Sequence, residues 1–441
     1  MKKVLNISFP AILELTLYNF LSVFDMMLIG KCGGSSEVSE IGICNNIFNT
    51  FLNIFIFTGI CIGITTLASQ SYGAVRYKDA NEYAETGFFI GIIISILVGI
   101  FIYINTDKIL IIAGIKRANL IHTAKIMRVL CISIVFNMNI NVINSIVRSY
   151  GNMIEPFKIS IYVSISKIIL DFFIIFGFKG YVSAAYGAAI ASVLSQLIGF
   201  LFDYYYVVKV STDIRINLLL KINLKKIIEL LKLSIPSSCE EAAYSLSRLI
   251  CTFIIMRAGT VAFAANEIAN SIESVSFMPG TGFGMVATAL VGISYGRKDF
   301  KGLKRSANEC FYYSLILMMS LAIVFAFGSE FLVKFFINEK LTMKYAAICL
   351  SIGAFEQPTI ALSMVFSNAL KGMGDTKTPF IVTTISSCLI RLPFTFIFIH
   401  ILNKPIYYVW WITVIEWCVD GIMMWACFNL KVKKIKQHKE Y

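Results

Sequence analysis

LASQSYGAVRYKDANEYA, residues 67–84, returns as LVGISYGRKDFKGLKRSA at residues 290–307. Ser71-Tyr72-Gly73 falls on Ser294-Tyr295-Gly296, Lys78 on Lys301 and Ala84 on Ala307, all at one constant offset in numbering. The same offset carries Gly151, Pro156 and Phe157 of RSYGNMIEPF onto Gly374, Pro379 and Phe380 of KGMGDTKTPF. A slightly larger one aligns Pro10, Glu14 and Tyr18 with Pro236, Glu240 and Tyr244. The matches fall on Gly, Pro, Tyr and Glu at fixed offsets rather than on Leu and Ile alone, and so mark an internal duplication.

The duplicated unit is a membrane unit. At 57% hydrophobic and 15% charged residues, the 441-residue chain has far more apolar surface than a soluble protein can bury. A spanning helix takes ~20 apolar residues, so twelve need about 240, close to what this composition supplies. Apolar runs near 9–30, 45–72, 84–105, 120–147, 156–178 and 183–208 give six spans, and runs near 234–257, 264–295, 307–328, 342–369, 379–402 and 406–430 give six more. The expected fold is all-α and integral to the membrane, with twelve helices in two six-helix pseudo-repeats. Its domains are an N-terminal lobe at 1–208, a basic helix-like connector at 209–232, a C-terminal lobe at 233–430 and a basic tail at 431–441. Six is even, so both halves share one orientation, related by an axis along the membrane normal, as transporters are built.

This organisation excludes several functions. No stretch long enough to form a soluble domain has soluble composition, which leaves no room for an extramembrane catalytic or nucleotide-binding domain. A GxxxxGK[ST] loop is missing, as are DDxxD, HxxxH and Ser/His/Asp groupings, so neither an ATP-driven pump nor an enzyme is expected. The cysteines form no CxxC, and His122, His400 and His438 stand far apart, so neither a metal nor another cofactor is expected. Glu14 and Asp25 interrupt the first apolar run, which reads as a retained helix rather than a signal peptide.

The net charge of +13 reflects orientation, not nucleic acid. If both termini face one side, that side holds 24 Lys and Arg and the other 11, with Arg128, Lys167, Arg248 and Arg391 inside spans. Arg148 and Lys371 are counted among the loop bases here. Both termini are expected in the cytoplasm, with the protein in the cell membrane and surrounded by lipid.

With these motifs in hand, the sequence resembles the multidrug and toxic compound extrusion (MATE) family nearly end to end. PAILELTLYNFLSVFDMMLIG (10–30), GITTLASQSYG (63–73), KIILDFFIIFG (167–177), GAAIASVLSQL (187–197) and IPSSCEEAAYSLSR (235–248) are all family-like, and IESVSFMPG (272–280) and GMGDTKTP (372–379) are the more specific elements. The resemblance implies a V-shaped pair of lobes that acts as a monomer and exports small organic, often cationic, compounds in exchange for H+ or Na+. A lipid or lipid-linked oligosaccharide flippase of the same superfamily is the alternative. It needs a cationic cavity, whereas the spans here hold ten acids against four bases.

An ionisable side chain at the bilayer centre costs ~2.5–3.5 kcal/mol on insertion scales, so each is a functional candidate. Asp25 matches the acid the family carries on its first helix. Asp171 also stands at a family position. The family's Asn one helical turn earlier is replaced here by Lys167, whose ammonium shares a helix face with Asp171 and fills the place of a sodium ion. Ser192 resembles the hydroxyl position of the same pocket. In the second half, Glu240 repeats Glu14 and is preferred over Glu241. Glu273 precedes the Met278-Pro279-Gly280 break, and Glu356 precedes Gln357-Pro358. Glu14, Glu267, Glu416 and Asp420 lie nearer span ends and are expected at the interface. Tyr18, Phe24, Tyr244, Phe277 and Met278 are the candidate contacts for flat organic cations. Proton coupling is preferred over sodium.

Overall fold

The computed structural model describes the chain apart from Met1, Gly114, Lys116, 178–182, 211–222, Asn338 and 438–441. Twelve long helices account for nearly all of the described residues. They are α1 Val4–Gly34, α2 Glu37–Gly73, α3 Tyr77–Ile112, α4 Asn119–Ser149, α5 Ile154–Gly177, α6 Ala184–Lys209, α7 Leu224–Met256, α8 Thr260–Gly296, α9 Phe300–Lys334, α10 Lys340–Gly372, α11 Lys377–Ile401 and α12 Tyr407–Gln437. Eleven are long and apolar enough to cross a membrane, counting bent α10 as one; α7 is more polar because Glu240, Glu241 and Arg248 lie on it. A helix satisfies its backbone polar groups within the segment, as lipid requires, so apolar runs of this length fold this way. Outward side chains such as Ile112 and Phe327 are 86% and 89% exposed. Inside, small residues such as Gly284, Ala287 and Ala289 of α8 let helices approach closely.

The chain divides into two compact units, Leu13–Ser234 and Met1–Ile12 with Ile235–Tyr441. In the first, Ile29, Ile64, Met127 and Val142 belong to one continuous core. In the second, Leu350 and Trp410 anchor one apolar cluster, and Phe366 and Phe428 another.

The repeat is visible at single residues. The offset that relates Gly73 to Gly296 also relates the first residues of α3 and α9, the first residues of α5 and α11, and the last residues of α4 and α10. The turns before α3 and α9 use Val75 and Lys298 at φ 61° and 58°. Those after α4 and α10 use Gly151 and Gly374 at φ 85° and 82°, each donating its N–H to the carbonyl of Arg148 or Lys371 at 2.8 Å. These are left-handed residues past a helix C-terminus, where glycine avoids the Cβ clash. The Thr65 hydroxyl donates to the Ser145 carbonyl at 3.4 Å, and its second-half equivalent, Thr288, donates to the Asn368 carbonyl at 3.1 Å.

The next helix of each half is capped alike. Asn152 Oδ1 accepts from the Ile154 and Glu155 amides, and Asp375 Oδ1 from Thr378. Burial opposes ionisation of Asp375. Even so, the Lys431 ammonium at 2.7 Å, with the Thr378 amide and hydroxyl, holds its carboxyl below the usual range.

Three expectations change. The connector's 211–222 lies outside the described residues, but from Leu224 onward it is already α7. Arg148 and Lys371, counted as loop bases, are 5% exposed, because each sits in the last helical turn and reaches an acid on the first helix of its own half. Glu14, Glu416 and Asp420 are likewise buried rather than interfacial, each held by partners described below.

Candidate functional site

In the unit Leu13–Ser234, α5 is the organising element. Lys167 and Asp171 stand one turn apart on its buried face, and Lys167 Nζ lies 2.7 and 2.6 Å from the two Asp171 carboxylate oxygens. The same ammonium lies 3.0 Å from Asp25 Oδ2 on α1. Two carboxylates thus converge on one cation. With all three ionised the cluster carries a net charge of −1, which adding a single proton cancels. Phe24 packs beside it against Phe172, ring centroids 6.1 Å apart. Ser192 does not join the cluster by hydrogen bonding, since its hydroxyl donates to the Ala188 carbonyl of its own helix at 2.9 Å.

In the other unit, two helix breaks aim acids inward. Pro358 cannot donate to the carbonyl one turn back, and α10 bends by 52° between Gly353 and Gln357, which carries Glu356 into the interior. Pro279 acts similarly on α8, where Ser274–Ser276 tightens into a 3₁₀ turn directly after Glu273. Glu273 and Glu356, both buried, lie within electrostatic reach of one another. Two buried carboxylates that close repel one another unless one is protonated. Gln357 Nε2 donates to Glu273 Oε1 at 3.3 Å.

A cavity of about 110 Å³ opens beside this pair, lined by Tyr244, Arg248, Glu273, Phe277, Glu356 and Arg391. Trp417 lies between Tyr244 and Phe277, at 6.0 and 6.1 Å from their rings. Arg391 ends a π-helical stretch, Ser386–Arg391, just before Leu392-Pro393, and pairs with Glu416 at 3.2 Å. Arg248 lies over the Tyr244 ring at 5.8 Å. The cavity walls therefore offer acids, bases and aromatic faces together.

Glu240 has partners of its own. Its Oε1 accepts from Lys371 Nζ at 2.9 Å and from Ser367 at 3.2 Å, while Glu241 takes the Ser245 hydroxyl at 3.3 Å. Asp420 accepts from Ser363 at 2.5 Å and Ser386 at 2.8 Å. Tyr18 lies within electrostatic reach of Glu14, Asp203 and Arg148. Met278 is half-buried on α8. Sequence reasoning did not put forward Arg391 or Asp203 as site residues and expected Glu416 at the interface; for Arg391 the hint was a base inside an apolar span, within the RLPF motif.

The MatE family model matches residues 10–173 and again 236–397, once per half. An uncharacterized transporter of Bacillus subtilis, YisQ, is 24% identical over 97% of this chain and 94% of its own length. A probable multidrug resistance protein, NorM, of Thermotoga maritima is 23% identical over 90% of this chain and 85% of its own. Among solved structures, an outward-facing multidrug resistance MATE family transporter of the MOP superfamily superposes with a TM-score of 0.92 at 19% identity, covering 99% of this chain and 96% of that one.

Proposed function

The chain belongs to the MatE family of multi-pass membrane transporters, and from that premise we propose that it is a multidrug exporter that moves small organic cations out of the cell in exchange for protons. The observation that carries the choice of ion is Lys167, whose ammonium lies within 3.0 Å of both Asp25 and Asp171. A sodium ion needs those same oxygens, and two cations cannot share them at van der Waals distance without mutual repulsion. A proton needs no coordination shell. Asp25 is the coupling carboxylate, because at 19% side-chain exposure it is the more accessible of the two acids. Taking up a proton there loosens its hold on the ammonium, and releasing it restores the pair.

In this reading Asp171 anchors Lys167, and Glu273 with Glu356 form a second proton-sharing pair. Glu240 balances Lys371. Tyr244, Phe277 and Trp417 offer aromatic faces for flat cations, with Phe24, Tyr18 and Met278 as further candidate contacts. The lobes at 1–208 and 233–430 exchange access as single-copy partners within one chain, in the cell membrane with both termini cytoplasmic, in keeping with the Lys and Arg asymmetry.

The test is drug accumulation in a pump-deficient bacterium. Wild type lowers accumulation of a dye such as ethidium, and Asp25→Asn, well expressed in the membrane, does not. Retained active export in Asp25→Asn removes it from the mechanism. Failure across a panel of cations with good expression favours the lipid flippase instead.

A further inference from the structure

The first helix of each half carries a buried acid that meets a base from the end of the fourth helix. Arg148 Nη2 lies 2.5 Å from Glu14 Oε1, and Lys371 Nζ lies 2.9 Å from Glu240 Oε1. These two contacts are copies of one arrangement, since the internal repeat places Glu14 on Glu240 and Arg148 on Lys371.

What surrounds the two pairs differs. In the second half the sixth helix contributes Asp420, whose carboxylate oxygens are met by the Ser363 and Ser386 hydroxyls. In the first half the sixth helix contributes Asp203, 2% exposed, with Oδ2 buried and lacking a hydrogen-bond partner among the described residues. The charges acting on Asp203 are Glu14 from α1 and Arg148 from α4, and Tyr18 on α1 lies within reach of all three. Further polar atoms in this unit are buried and without a hydrogen-bond partner among the described residues: Glu14 Oε2, Arg148 Nε and both amide atoms of Asn144. Asn144 stands one turn before Arg148, on the same face. Its copy in the second half is Ser367, which donates to Glu240.

We propose that Glu14, Arg148 and Asp203 form a second proton-binding site within the unit Leu13–Ser234, in which Arg148 neutralises Glu14 and Asp203 carries an exchangeable proton. One guanidinium balances one carboxylate. Among the described residues the second acid has no ion pair at contact distance and no hydroxyl cluster like that of Asp420, and an ionised carboxylate so placed in low dielectric is strongly disfavoured. A metal cation is a poor occupant because the guanidinium already stands against Glu14. A proton removes the excess charge and turns the Asp203 carboxylate into a hydrogen-bond donor.

The experiment is infrared spectroscopy of the full chain in lipid nanodiscs, following the carbonyl stretch of protonated carboxyl groups as pH is varied, with proton release counted in parallel. Asp203→Asn is expected to lose one such band and one titrating proton, while Asp25→Asn leaves that band in place. An unchanged spectrum in folded Asp203→Asn overturns the site. Where Asp203→Asn does not fold, Asp203→Glu is expected to keep the band at a displaced frequency, and a band at the original frequency overturns it. The readout is protonation rather than transport, so failure of proton-driven export leaves this claim standing and failure of this claim leaves export untouched.

Discussion

Lys167 Nζ lies 3.0 Å from Asp25 Oδ2, joining the fifth helix to the first. With Asp171 at 2.6 Å on its other side, the ammonium occupies the centre of a two-carboxylate cluster. The cluster is tethered, because its cation cannot leave.

Lys167→Asn removes that cation and leaves two acids around a neutral amide. The variant is expected to gain sodium-dependent thermal stabilisation absent from wild type, by RT ln(1 + [Na+]/Kd), about 2.7 kcal/mol at a hundred times Kd. Melting curves at matched ionic strength in sodium and in a large organic cation check this. Sodium stabilisation of wild type that Asp25→Asn abolishes places Lys167 outside the ion site.

The ion pair of Arg391 with Glu416 tests the charge arrangement of the other unit. Both side chains are nearly buried, so Arg391→Met strands Glu416 and is expected to lower stability by about 3–5 kcal/mol. Arg391→Met with Glu416→Gln recovers most of the loss, and the non-additivity is read from a double-mutant cycle of thermal unfolding. Additive losses contradict a direct pair.

The sequence made the membrane architecture legible for a physical reason: lipid demands long apolar helices, and apolar runs are read directly. The i, i+4 spacing also put Lys167 beside Asp171. Spacing says nothing, however, about which distant helix supplies the next partner, and so Asp25 was singled out without its link to Lys167. Arg148 and Lys371 misled in the opposite direction. Each stands beside a turn motif and counts as a loop base, but the last turn of a helix still projects inward, where Glu14 and Glu240 meet them. Ser192 had the right residue type, but its hydroxyl turns to its own backbone.

The duplicated turns give a check on the repeat itself. Gly151→Ala and Gly374→Ala each force a Cβ into left-handed backbone at φ 85° and 82°, at roughly 1–2 kcal/mol apiece. The two variants are expected to lower the melting temperature by similar amounts, and their combination to add, since the sites lie in separate units. A large effect at one and none at the other contradicts equivalent turns.

The most direct test of the built-in cation is transport by the purified wild-type chain in proteoliposomes, with a proton gradient imposed alone and then a sodium gradient alone. Cationic dye movement is expected under the proton gradient, and no movement above the leak under sodium. Sodium-driven transport of comparable rate, lost in Asp25→Asn, contradicts the account, because the oxygens that Lys167 holds must then be free to bind the ion.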